Sequence, residues 1–201
     1  MELSGIILSI EQSGDRFFNA KIFSQTNGLC TVLFRTTGKK AGNLTPPDLF
    51  DEVECRITPG RSNSQALFVS DYQRISTFRE LAIKPAYFLA ASELSRFFLM
   101  NGSHLLEPHS HFSLLQKALA SFLRARDPQV VLLKLFYCFA RDEGLPVRES
   151  WLAGLTKQKF DAVSEILSKP VEQVRSEPLE LCDLLGSIKS WMNTETELIV
   201  G

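Results

Sequence analysis

The chain has 201 residues, enough for one large domain or two small ones, and its 44% hydrophobic and 22% charged residues are ordinary for a soluble globular protein. A net charge of −1 excludes nucleic-acid binding driven by overall charge, so any such binding must come from a local patch. No apolar run approaches the ~20 residues that span a bilayer, and MELSGIILSIEQSGD lacks the basic start of a secretory signal.

The four cysteines, Cys30, Cys55, Cys138 and Cys182, contain no C-x-x-C pair. At this length and density they read as reduced, mostly buried thiols of a cytosolic protein rather than as a disulfide framework. Fifteen Phe against three Tyr and two Trp point to a Phe-rich core.

The first 75 residues read with period two. In SGIILSIEQ, Ile6, Leu8 and Ile10 share one face and Ile7, Ser9 and Glu11 the other. RFFNAKIFSQ groups Phe18, Ala20 and Ile22, the Asn27-Gly28 pair signals a hairpin, and LCTVLFR follows it. DEVECRIT places Val53, Cys55 and Ile57 inward and Glu52, Glu54 and Arg56 outward; PGRSNSQ turns the chain into a fifth run, ALFVSDYQRIS. Five short strands within about 75 residues predict a small closed barrel, since closure removes exposed edges, and five is the strand count of an OB-fold.

From about Phe78 the period becomes 3.6. AYFLAASELSRFFLM puts Tyr87, Ala90, Ala91, Leu94, Phe97 and Phe98 on one stripe, and HFSLLQKALASFLRA puts Phe112, Leu115, Leu119, Phe122 and Leu123 on another. A third helix is punctuated by Asp127 as N-cap, Pro128 in the first turn, and Gly144 and Pro146 at the stop. Its nearly all-apolar body, QVVLLKLFYCFARDE, predicts burial on most sides. QKFDAVSEILSK and PLELCDLLGSIKSWMN read as two further helices. The expected organisation is α+β in two domains: a five-stranded barrel over residues 1–77 and an all-α domain over 78–201.

Four features invite a functional reading. The loop TTGKKAG is no P-loop: the earlier glycine is missing, Lys40 replaces the Ser/Thr that holds magnesium, and prolines follow instead of a helix. Arg35, Lys39 and Lys40 suit phosphates along a nucleic-acid strand, or else form a solvated basic tip. Phe17, Phe68 and Tyr72 fall opposite the core faces of their strands, where bases can stack on them; the alternative is that a neighbouring segment buries them. In HLLEPHSH, His104, His109, His111 and Glu107 match no metal-ligand spacing and read as a helix connector. Lys134, inside VVLLKLFYCF, must snorkel, pair or serve a ligand, with Arg124 and Arg126 close to the start of its helix. No nucleophile elbow, Cys-His signature or paired carboxylate is present, so no catalytic residue, metal or cofactor is expected.

Three stretches, in order, carry a resemblance: GIILSIEQSGD with KIFSQTNGLCTVLF, RTTGKKAGNLTPPDLFDEVEC, and DPQVVLLKLFYCFARDEGLPV. Over residues 1–147 the chain resembles the RecO family of bacterial DNA-repair proteins. The resemblance implies an OB-fold followed by a helical domain, and a non-catalytic recombination mediator of the bacterial cytoplasm and nucleoid. Such a protein binds single- and double-stranded DNA, anneals complementary strands, and works with RecR to load recombinase onto strands covered by single-strand-binding protein. Arg35, Lys39, Lys40, Phe17, Phe68 and Tyr72 would carry DNA. The resemblance further implies that the acidic, Phe-ended tail of single-strand-binding protein docks in the helical domain. Lys134 with Arg124 or Arg126 would meet its charges, and Leu119, Leu123, Val131 and Leu135 would wall its pocket. Many family members carry zinc-site cysteines after GLPV; RESWLAGL has none, so no zinc module is expected. The family is usually basic and this chain is not, which keeps a second reading open: a protein-interaction module with little DNA binding.

Overall fold

The structure, a computed structural model, describes residues 1–35, 47–60, 66–105 and 107–201. Lys39 and Lys40 therefore lie outside the described residues. Two compact units emerge: Met1–Arg79 with Phe98–Ser113, and Glu80–Phe97 with Leu114–Gly201. The first passage between units falls next to the change of period near Phe78, and the barrel's unit also takes residues 98–113.

In the first unit, β1 (Glu2–Ser13), β2 (Phe17–Ser24), β3 (Gly28–Arg35), β4 (Glu52–Pro59) and β5 (Leu67–Ser76) close into a barrel of order β1-β2-β3-β5-β4. All neighbours are antiparallel except β3 and β5. Closure depends on β1, whose first half pairs with β4 and whose second half pairs with β2. Gly5 sits where both pairings overlap. A Cβ there would lie 2.5 Å from the Phe23 carbonyl oxygen, so only glycine lets the strands approach this closely.

The core holds Leu3, Ile7, Ala20, Ile22, Val32, Phe34, Val53, Cys55 and Ile57, with Ile10, Phe18, Leu67, Val69 and Tyr72 packed against it. Strict alternation along β4 and through Phe18, Ala20 and Ile22 is as expected. Along β1 it is not. Ile7 pairs with Ile22 and Ser9 with Lys21, which leaves Leu8 as an extra residue. This bulge shifts the phase, so Ile7 and Ile10 face the core together, whereas simple alternation grouped Ile10 with Ile6 and Leu8. Ile6 is buried on the other side of the wall, where its partner Phe23 meets Phe98 with ring centroids 4.9 Å apart.

The helices lie mostly in the second unit, with the end of the first helix and the start of the second in the barrel's unit. A 3₁₀ turn (Arg79–Ile83) leads to α1 (Pro85–Asn101), α2 (Pro108–Phe122) and α3 (Pro128–Asp142); α4 (Lys157–Ser168) and α5 (Pro178–Glu195) follow. The predicted start of α3 is present: Asp127 accepts from the Gln129 amide at 2.8 Å and Pro128 occupies the first turn. At its end, Leu145 N–H donates to the Ala140 carbonyl and Gly144 N–H to that of Arg141, with Gly144 at φ 72°. That pair of bonds is a Schellman closure, which requires the left-handed residue glycine supplies. Sequence periodicity missed a π-helical turn over Val147–Leu152. It is held by a reciprocal pair: Trp151 Nε1–H donates to Ser187 Oγ at 3.0 Å, and Trp191 Nε1–H to Ser150 Oγ at 2.9 Å. No described helix is long and apolar enough to cross a membrane.

Candidate nucleic-acid interface

Phe17 opens β2 and Arg35 ends β3, and the antiparallel register makes them direct partners. Both point away from the core, since their neighbours Phe18 and Phe34 point into it. The Arg35 guanidinium carbon lies 5.3 Å from the Phe17 ring centroid, a cation–π approach. Leu33 of β3 pairs with Phe68 of β5, which brings Phe68 to the same outer face. Phe17 and Phe68 meet edge-to-face across β3, centroids 5.6 Å apart at 64°. The three side chains line an open cleft of about 770 Å³ with Thr58, Pro59, Gly60, Val69 and Ser70. Arg35 is exposed and makes no ion pair among the described residues. Two half-buried rings and a guanidinium with no ion pair among the described residues form a surface on which a base can stack while the cation meets a phosphate.

Tyr72 does not belong to this surface, and the reading that grouped it with Phe68 is corrected. Arg56 pairs with Asp71 and Ile57 with Val69, so Ser70 is the extra residue of a second bulge. Past it, Tyr72 turns inward and meets Phe34 edge-on at 5.2 Å. Burial raises its phenol above the ordinary range, while nearby Arg74 pulls the other way. Period-two reading also missed Thr58, Pro59 and Gly60. Their signal was the turn PGRSNSQ, which places the end of β4 at the cleft rim. Asn19 was missed too. Two residues along β2 from Phe17 on the outer face, its side-chain carbonyl is buried with no hydrogen-bond partner among the described residues.

The helical candidates are placed differently from the expectation. Leu119, Val131 and Leu135 are buried in the interior of their unit, whereas Leu123 lies past the end of α2 and is 39% exposed. The Lys134 ammonium is engaged: it donates to the Leu167 carbonyl at 3.3 Å and to the Lys169 carbonyl, both at the C-terminal end of α4. It thus satisfies carbonyls that the helix leaves open and complements the negative end of its dipole. Desolvation by burial lowers its pKa, opposed by the nearby Cys138 and Glu172. Arg124 pairs with Glu172 at 3.2 Å; the Arg126 side chain is exposed, and its carbonyl accepts from the Tyr87 hydroxyl at 2.9 Å. In the structure Lys134 closes α4.

Pro108 opens α2, so His109 and His111 stand in its first turn and not in a connector. His109 Nδ1 lies 2.7 Å from Gln25 Nε2, His111 is buried, and His104 is exposed. Among the described residues, no group of three or more His, Cys, Asp or Glu is placed to hold a metal ion. Comparison with protein-family models finds no match for the chain, and comparison with curated proteins finds no significant one.

Proposed function

We propose that this protein is a non-catalytic nucleic-acid-binding mediator of DNA repair and recombination, of the kind the RecO family represents. The observation that carries the reading is the outer-face cluster of Arg35, Phe17 and Phe68 in one open cleft. The barrel's order, β1-β2-β3-β5-β4 with β3 and β5 parallel, supports reading it as an OB-fold, a fold that binds oligonucleotides on its strand surfaces and loops. Single- and double-stranded DNA are the proposed ligands. RecR and single-strand-binding protein are the proposed partners.

Fluorescence anisotropy with a labelled single-stranded oligonucleotide tests this. The chain should bind, and log K should fall with log salt. Arg35→Ala should flatten that slope by about 0.7 for one lost phosphate contact. Phe17→Ala with Phe68→Ala should weaken binding at every salt concentration. Absence of binding at low salt would reject the reading in favour of a protein-interaction module, which the net charge of −1 favours. Binding that ignores all three residues would reject the cleft.

A further inference from the structure

Beyond α5 the chain reverses and runs back along the helix it has just left. Thr196 is extended, its hydroxyl donates to the Met192 carbonyl at 2.5 Å, and the same oxygen accepts from the Leu198 amide at 3.1 Å. Asn193, in the last turn of α5, grips the returning segment with both ends of its amide. Its Nδ2 donates to the Val200 carbonyl at 2.7 Å, and its Oδ1 accepts from the Val200 amide at 2.7 Å. Val200 is buried to 6% exposure while its neighbour Ile199 is half exposed, the alternation of an extended segment. Lys189 Nζ donates to the Gly201 carbonyl at 2.9 Å and lies 2.6 Å from Glu93 Oε1 of α1. The Arg96 guanidinium, also on α1, rests against Gly201: a Cβ there would come within 2.7 Å of Arg96 Cζ.

We propose that this slot between α1 and α5 is a peptide-docking site, filled here by residues 198–201. Its exchange partner is an extended peptide with a branched apolar residue followed by a carboxylate. The paired amide bonds of Asn193 read only peptide backbone, as strand addition does, so they accept any extended segment. The Val200 site selects the apolar side chain. Arg96 selects the charge: it is exposed and has no ion pair among the described residues, and it lies where the residue after the valine sits. A carboxylate there gains the bidentate partner that a guanidinium favours. One buried side chain, the part-buried bonds to Val200 and Leu198 and one exposed bond from Lys189 hold the strap, few enough contacts for it to open without the rest of the fold. Being tethered, it still outcompetes a free peptide by effective concentration.

The probe is a labelled Thr-Glu-Leu-Ile-Val-Gly peptide with a free carboxylate, titrated by anisotropy. A chain ending at Leu198 should bind it saturably, and the full chain at least tenfold more weakly. Asn193→Ala in the shortened chain should lower affinity at least tenfold, and an aspartate replacing valine in the peptide should abolish binding. Equal binding by full and shortened chains, or none by either, overturns the proposal. Should the shortened chain fail to fold, Val200→Asp in the full chain evicts the strap, and peptide affinity must rise at least tenfold. In the unaltered protein, excess peptide must speed hydrogen exchange at the Val200 amide; an unchanged rate overturns the proposal.

Discussion

Phe68 and Tyr72 stand on one strand, two pleats apart, and project to opposite sides of the barrel wall. The extra residue Ser70 separates their phases, and its hydroxyl ties the bulge down by donating to the Arg56 carbonyl at 3.0 Å. The two rings should therefore fail in different assays. Phe68→Ala should cost about 1–3 kcal/mol of oligonucleotide affinity, the range for one stacked base, and only about 1 kcal/mol of urea stability through the lost edge contact with Phe17. Tyr72→Ala should cost about 2–3 kcal/mol of stability, because it leaves a void beside Phe34, and should alter affinity little in the folded fraction. A stability loss at Phe68 larger than that at Tyr72, or an affinity loss confined to Tyr72, would contradict the bulge assignment.

Lys134 yields a second prediction. Its ammonium serves two carbonyls at the end of α4, so Lys134→Ala should lower stability by about 1 kcal/mol in urea titration. Amide exchange should quicken first in the last turn of α4. Oligonucleotide affinity should not move, since the residue belongs to the helical unit and its proton donors are committed there. A stability identical to wild type would return it to a lysine whose head merely reaches solvent.

Cys55 gives a pH dependence. Burial, reinforced by Asp71 and Glu54, pushes its thiol up from the ordinary 9.0 to about 12. Between these values the native barrel keeps the proton that the unfolded chain has released. Its contribution is therefore complete below pH about 9 and is lost as pH rises towards about 12. Replacing Cys55 with Ala should flatten that alkaline decline in thermal unfolding. At pH 8, a disulfide reagent should label exposed Cys182 in the native protein and reach Cys55 only on unfolding. Rapid native labelling of Cys55 would refute its placement in the core.

Much of the barrel was legible because β4 and the second half of β2 alternate without interruption. The bulges at Leu8 and Ser70 were not legible: an inserted residue leaves no mark in composition, and it reverses every later assignment on its strand. Phe17 and Phe68 could be read as outward-facing, but their meeting across β3 depends on the parallel β3–β5 pairing, which no local pattern encodes. Among the helices, Asp127, Pro128 and Gly144 announced both ends of α3. The use of Lys134 was hidden because its acceptors lie more than thirty residues away in sequence.

The reciprocal indole–serine bonds have a practical consequence. Trp151 and Trp191 are the chain's two tryptophans, and both lie in the helical unit. Intrinsic emission excited at the red edge is thus a spectroscopic probe of that unit alone. Each indole is nearly buried and anchored by a hydroxyl, so its spectrum should shift red when the clasp opens. The barrel, with tyrosine and phenylalanine as its only aromatic residues, stays dark in the same channel. One cuvette measurement can therefore follow the unfolding of the helical unit by itself.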